Sequence, residues 1–250
     1  IDAMPASEQP RIIDASTAHR VAEGWVYGFA ELCSGQREAI QTARRVANPG
    51  CYATGAIALL RPLVDAGVLP ADYPVALPAV SGYSGGGRQM IEAYAAGKAP
   101  AYELYALGLA HKHIAEIMRY GRLQRRPIFT PSVGNFDQGM LVQLPLHLDL
   151  LPGQPSRERL QGIYQHHYAG SRCVTVHDAP EDGKLDAVAL KNTDGLEIRI
   201  FGHPTLPQAV AVARLDNLGK GASGAAVQNL ELMLGWARRA LSTLPSARLI

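Results

Sequence analysis

Apolar positions along the chain fall into short runs broken by glycine, proline and small polar residues. Arg11-Ile12-Ile13-Asp14-Ala15-Ser16 reads as a short apolar strand ending in polar residues. Residues 25–32 read as a loop with aromatic packing, Ser34 as the N-cap of a helix over about 36–45, and residues 44–48 as a brief strand. Asn48-Pro49-Gly50 marks a turn, because proline disfavours helical geometry in the residue before it. From Cys51 onward Ile57, Leu60, Leu63 and Val64 share one stripe of a helix, which Asp65-Ala66-Gly67 and Pro70 close. Helix, short strand, turn and helix in that order are the grammar of an α/β unit.

The rest of the chain is richer in strand patterns. Strands are predicted over 75–80, 102–107, 127–133, 139–148, 173–177, 187–191, 196–201 and 208–215, with residues 134–138 joining the two that flank them. Helices are predicted over 89–96, from near His113, over 156–168 with Ser156 as N-cap, and over 225 to about 241. His166 and His167, at the end of the third of these, read as a dipole complement and a solvent face. The second half is therefore expected to be a largely antiparallel α+β layer behind an α/β start.

Composition narrows the function classes. The chain has 250 residues, with 24 Lys plus Arg against 22 Asp plus Glu, a formal net charge of +2. Arg122, Arg125 and Arg126 form the densest basic cluster and read as a solvated face, so no nucleic-acid partner is expected. No long uncharged apolar run is present and no membrane partner is expected. The start lacks a basic-then-apolar leader pattern, and it opens at Ile1 in what reads as the middle of an α/β unit, which points to a fragment. Cys33, Cys51 and Cys173 are odd in number and lack CxxC spacing, so a disulfide framework or structural zinc is not expected, and a reducing cytoplasm fits.

Four stretches carry chemistry. Cys51 sits at a turn-to-helix junction, where unsatisfied N–H groups and the helix dipole lower a thiol pKa; the competing reading is a small buried hydrophobe. Asp14, Ser16, Thr17, His19 and Arg20 follow the carboxyl end of the first strand, where ligands gather in α/β sheets, and Arg20 offers a guanidinium fork to an anion. In Ser81-Gly82-Tyr83-Ser84-Gly85-Gly86-Gly87-Arg88, three consecutive glycines let backbone amides approach an anion beside Arg88. In His111-Lys112-His113, a helix beginning near His113 brings Glu116 over the same face, an imidazole with a carboxylate to orient it. Metal binding through His111 and His113 lacks a third ligand, and no metal is expected. Gly219, Gly221 and Gly224 formally match GxGxxG, but neither a second strand nor an acidic residue about twenty positions on follows. That stretch reads instead as a glycine-rich helix entry packing against a ligand.

Taken together, Asn48-Pro49-Gly50-Cys51-Tyr52-Ala53-Thr54-Gly55, the 81–88 block, His111-Lys112-His113 with Glu116-Ile117, and Asp216-Asn217-Leu218-Gly219-Lys220-Gly221-Ala222 closely resemble the N-acetyl-γ-glutamyl-phosphate reductase family, in its shorter type. Ile13-Asp14-Ala15-Ser16 with Arg20 and Tyr27-Gly28-Phe29-Ala30-Glu31-Leu32 support it, although the family often has proline where Ala30 stands. The resemblance covers nearly the whole chain. It implies a two-domain enzyme of the type that includes aspartate-semialdehyde and glyceraldehyde-phosphate dehydrogenases, reducing an acyl phosphate with NADPH in arginine biosynthesis.

By this resemblance Cys51 is the nucleophile that expels phosphate and forms a thioester. His113 is the acid–base residue with Glu116 orienting it, and His111 is the alternative. Arg20, Arg88, Ser84 and His111 hold the substrate, and Ser16, Ser81, Gly82, Gly85, Asn217, Gly219 and Gly221 line the NADP(H) site. The family's opening strand and glycine-rich turn are not in this sequence. Residues 1–50 with 217–250 then correspond to the remainder of a Rossmann-type domain, and residues 51–216 to a catalytic and dimerisation domain on a mainly antiparallel sheet. A homo-oligomer, dimer or tetramer, is expected. The competing readings are a relative acting on another acyl phosphate such as aspartyl phosphate, a cysteine hydrolase without cofactor, and an inactive dimerising fragment.

Overall fold

The computed structural model describes residue 1, residues 3–5 and residues 7–236. A three-stranded parallel sheet, in the order β1 (Ile12–Asp14), β3 (Arg45–Ala47), β2 (Val26–Tyr27), forms the first layer. Helices α1 (Gln36–Thr42) and, from the far end of the chain, α6 (Gly224–Met233) pack on it around Ala30, Ile40, Val46 and Met233. Parallel strands need helical or long crossovers, and here α1 supplies the link from β2 to β3.

The second sheet has seven strands in the order β5 (Tyr102–Leu104), β6 (Ile128–Gly134), β4 (Ala76–Gly82), β7 (Met140–His147), β10 (Gln208–Leu215), β9 (Leu196–Gly202), β8 (Val174–His177). Only β4–β6 and β8–β9 are parallel; the other neighbours run antiparallel. The expected α/β layer joined to a mainly antiparallel α+β layer is borne out. Alternate residues Leu77, Met140, Val142, Leu144, Ala211, Ala213 and Ile198 face one way into the core, as the period of a strand requires. Helices α2 (Cys51–Asp65), α4 (Ile114–Tyr120) and α5 (Arg157–His167) pack together over that face, while the remaining helix, α3 (Arg88–Ala95), has no buried residue.

The helix α2 is the axis of the molecule. Twelve consecutive residues from Tyr52 to Leu63 are buried, which accounts for its run of alanine and leucine. Pro62 interrupts its ladder, since proline has no N–H to give the carbonyl of Ala58. The hydroxyl of Tyr168 donates to that carbonyl at 2.8 Å instead, and Tyr164 donates to the next one, Leu59, at 2.6 Å. Buried Arg61 is likewise satisfied, by Asp65 at 2.6 Å and by the Tyr120 carbonyl at 3.2 Å.

Several expected elements differ. Ser34 does not cap α1; Gly35, at φ 79°, occupies the cap and the helix stops at Thr42. The 25–32 loop contains β2. The strand expected over 102–107 ends at Leu104, because Ala106 takes a positive φ of 51°. Strands β6 and β7 are successive in the chain, as expected, with β4 lying between them in the sheet. The strand expected over 187–191 is a turn, opened by the Asp186 carboxylate accepting the Val188 N–H at 3.0 Å. At the last helix, a π-helical turn (Gly219–Ser223) precedes α6, which ends at Met233 with Gly235 at φ 68° beyond it. The 237–241 part of that expectation lies outside the described residues. No described helix is long and apolar enough to cross a membrane.

Candidate active site

The turn at Asn48–Gly50 places Cys51 as the first residue of α2, at the floor of a cleft of about 640 Å³ between the two sheets. Its walls come from four segments: Ala15 and Arg20 after β1, Ser81, Gly82 and Ser84 to Gly87 at the end of β4 and beyond it, the histidine segment before α4, and Asn217, Leu218 and Gly221 to Ser223 after β10. Gly50 and Gly221 are glycines for reasons of space. A Cβ on Gly50 would lie 2.3 Å from His113 Nε2, and one on Gly221 would lie 2.9 Å from the Cβ of Cys51. The imidazole of His113 therefore rests against the residue preceding the cysteine, and the bare backbone of Gly221 packs against the Cα and Cβ of the cysteine itself.

The electrostatics differ from the simple helix-terminus expectation. Burial pushes the Cys51 thiol up to about 11, outweighing the Tyr52 N–H and the Arg20 cation that favour the thiolate. A thiol with a depressed pKa is thus overturned: in the free site desolvation exceeds the pull of one backbone amide and one already paired guanidinium. Burial, with His111, Arg20 and Lys112 adding to it, also holds His113 well below its ordinary range, so its imidazole is neutral. His111 is held to about 4, by burial first and Lys112 second. Its Nδ1 accepts the His113 backbone N–H at 3.2 Å, which puts its proton on Nε2 toward the hydroxyl of Tyr105, 3.5 Å away. Among the described residues the Nδ1 of His113 has no hydrogen-bond partner.

Glu116 does not orient His113. Helix α4 begins after His113, and the carboxylate turns instead toward Arg20 Nη1 and the Gly50 N–H, each at 2.9 Å, and the Tyr27 hydroxyl at 2.8 Å. Arg20 spends its other terminal nitrogen on the Ala15 carbonyl, at 3.0 Å. Both charges are buried and compensate each other, so this pair braces the cysteine turn.

Of the other expected residues, Ser81, Gly82, Ser84, Gly85, His111, Asn217 and Gly221 line the cleft. Ser84 and Asn217 are engaged with each other at 2.9 Å, and Asn217 also accepts the Gly139 N–H at 2.9 Å. Arg88 lies outside the cleft, highly exposed, and pairs with Glu92 four residues on along α3. Ser16 is exposed and bonded to Asp14 at 2.6 Å, leaving Ala15 to reach the wall. Gly219 packs on the Thr193 carbonyl rather than on the cleft.

Three participants were not foreseen. Lys112 is exposed on the cleft wall and carries no ion pair among the described residues; its place between two histidines was the available hint. Asn48 donates to the Ala222 carbonyl at 2.9 Å and so ties the cysteine turn to the π-helical turn. Lys220, buried, donates to Glu31 and to Gln228, each at 2.6 Å.

Comparison with known proteins places these features. Residues 51–217 match the family described as "Semialdehyde dehydrogenase, dimerisation domain". N-acetyl-gamma-glutamyl-phosphate reductase of Brucella ovis is 57% identical over 233 residues, spanning 90% of this chain and 75% of that protein. The Brucella melitensis and Brucella abortus proteins of the same name match to the same extent. In structure the chain is similar to aspartate semialdehyde dehydrogenase II from Vibrio cholerae, with a TM-score of 0.69 at 15% identity, over 90% of this chain and 72% of that one. The aspartate semialdehyde dehydrogenase of Francisella tularensis gives 0.65 at 13%, over 87% and 73%.

Proposed function

The chain belongs to the N-acetyl-γ-glutamyl-phosphate reductase family, an oxidoreductase family that converts N-acetyl-L-glutamyl 5-phosphate to the 5-semialdehyde and phosphate, and we propose that its cleft does so through a thioester on Cys51 with NADPH as reductant. The observation that carries this reading is the junction of Cys51, neutral His113 and the Gly221 backbone at one cleft floor.

With the thiol near 11, little thiolate stands ready at neutral pH, so deprotonation accompanies attack. Neutral His113 takes the thiol proton as sulfur bonds to the acyl carbon and the carbon–oxygen bond to phosphate breaks. The departing phosphate takes its proton from solvent. NADPH, when bound, supplies hydride to the thioester carbon. Collapse of the resulting thiohemiacetal releases the aldehyde, and His113 returns its proton to sulfur. Gly82, Gly85, Gly86 and Gly87, which line the same cleft as Pro49 and Cys51, carry no side chains to fill it and so suit the reacting end of such a cofactor. Ser81, Asn217 and the backbone around Gly221 border the same space. Lys112, rather than Arg88, is the cation placed to meet the substrate's anionic groups.

We assign residues 51–216 to catalysis and dimerisation, and residues 1–50 with the chain from 217 to cofactor binding; the family match over 51–217 supports this division. The second face of the seven-stranded sheet, with partly buried Val80, Leu141, Val210 and Phe201, is suited to a second copy of the chain. Three free cysteines fit a cytoplasmic biosynthetic enzyme.

Incubation with N-acetyl-glutamyl phosphate in the absence of cofactor tests the reading. One equivalent of phosphate and an acyl adduct on Cys51, seen by mass spectrometry and lost in Cys51→Ala, are expected. Continuous phosphate release without NADPH indicates a hydrolase, and no adduct refutes the nucleophile.

A further inference from the structure

Among the described residues Lys220 is the largest charged side chain that is fully buried, 1% exposed, and it is not one of the residues that line the cleft. Its ammonium donates to Glu31 Oε2 and Gln228 Oε1, each at 2.6 Å, and Gln228 Nε2 closes the ring by donating to Glu31 Oε1 at 2.7 Å. The ring of Phe29 lies 5.4 Å from the ammonium. Burial alone would raise the carboxyl of Glu31, but Lys220 and Gln228 hold it below its usual range, so the ion pair persists. The three side chains come from three segments: the loop after β2, the π-helical turn and α6.

A hydrophobic side chain would fill such a site at lower desolvation cost, so a buried pair is weak evidence for stability and better suited to fixing one geometry. The geometry fixed here is unusual. Gly221 donates to the Asp216 carbonyl at 2.9 Å and Ser223 to the Leu218 carbonyl at 2.7 Å, both spanning five residues. Such wide turns are strained relative to an α-helix and recur at functional sites. Lys220 leaves the turn toward Glu31, and the very next residue, Gly221, brings its backbone against Cys51.

We propose that Lys220 is a positioning residue whose closed ring with Glu31 and Gln228 holds the π-helical turn, and with it the Gly221 backbone, over Cys51. The inference rests on Cys51 being the nucleophile.

The test compares the whole chain with Lys220→Met and Gln228→Ala at a temperature well below each protein's unfolding midpoint. Two rates are read: acylation of Cys51 by N-acetyl-glutamyl phosphate, and its alkylation by N-ethylmaleimide across pH. With the turn released, acylation is expected to slow by about tenfold or more, because small misplacements are costly to oriented reactions. Alkylation of Cys51 is expected to rise severalfold as the Gly221 backbone withdraws. Gln228→Ala, which keeps the Lys220–Glu31 pair, moves both rates the same way by less and serves if Lys220→Met does not fold. A drop in unfolding midpoint with both Cys51 rates unchanged overturns the positioning role and leaves a purely structural ion pair. Wild-type chain that is alkylated at Cys51 but never acylated refutes the nucleophile instead, so the two failures are distinct.

Discussion

Glu116 accepts the backbone N–H of Gly50 at 2.9 Å, which fastens the first turn of α4 to the residue immediately before Cys51. The same carboxylate neutralises buried Arg20 and receives the Tyr27 hydroxyl. Glu116→Ala leaves a buried cation without its counter-charge and two donors without an acceptor, and loss of about 3–5 kcal/mol is expected. Glu116→Gln keeps an acceptor and costs less. Urea denaturation of both variants measures the difference; equal midpoints for Glu116→Ala and the parent would remove the bracing role.

The pH dependence has two separate parts. Alkylation of Cys51 in the free chain is expected to climb through the alkaline range toward its pKa of about 11, because only the thiolate reacts. A plateau near neutrality would contradict the raised pKa of the thiol.

Stability follows the histidines. Folding lowers His111 from 6.5 to about 4 and lowers His113 as well, so between these values the unfolded chain binds protons that the folded chain refuses. Their contribution is complete above about 6.5 and is lost as pH falls below it. Urea midpoints are expected to decline over that window, and less steeply in His111→Gln.

Lys112→Met is expected to raise KM for the acyl phosphate by about tenfold or more with kcat little changed. A hydrogen bond to a charged group contributes about 1.5–3 kcal/mol, and this cation faces the cleft unpaired among the described residues. An unaltered KM, with Arg20→Lys raising it instead, would transfer the anion contact to Arg20.

Tyr168 and Pro62 form a thermodynamic cycle. Tyr168→Phe strips the Ala58 carbonyl of its donor, at a cost of about 1–3 kcal/mol. In a Pro62→Ala background residue 62 regains its N–H, and the same tyrosine change is expected to cost less. Additive effects would mean that the hydroxyl contributes nothing to the carbonyl.

Local chemistry was legible in the sequence where one short stretch contains all its determinants. Pro49, Gly50 and the apolar stripe behind Cys51 locate the turn, the helix and the cysteine at its start, and the two histidines announce themselves by proximity. Partners far apart in the chain were not legible. Glu116 lies three residues from His113 but binds groups 96 and 66 positions away, and nothing in helical spacing indicates that choice. Lys220 and Glu31 are 189 positions apart, so the lysine read as one more residue of a glycine-rich entry. Residues 187–191 alternate like a strand, yet a single aspartate before them bonds the backbone into a turn. The insertion of β4 between β6 and β7 is likewise a matter of long-range pairing, which alternation alone cannot order.

The two walls of the cleft differ in stiffness. Helix α2 packs against the sheet, α4 and α5 with twelve consecutive buried residues, so Cys51 stands on a well-supported element. The opposite wall runs from three successive glycines into α3, a helix with no buried residue. Local opening is cheapest where few apolar contacts are broken. If Cys51 is the nucleophile, this contrast sets a wall that is cheap to open beside a sulfur carried on well-packed support.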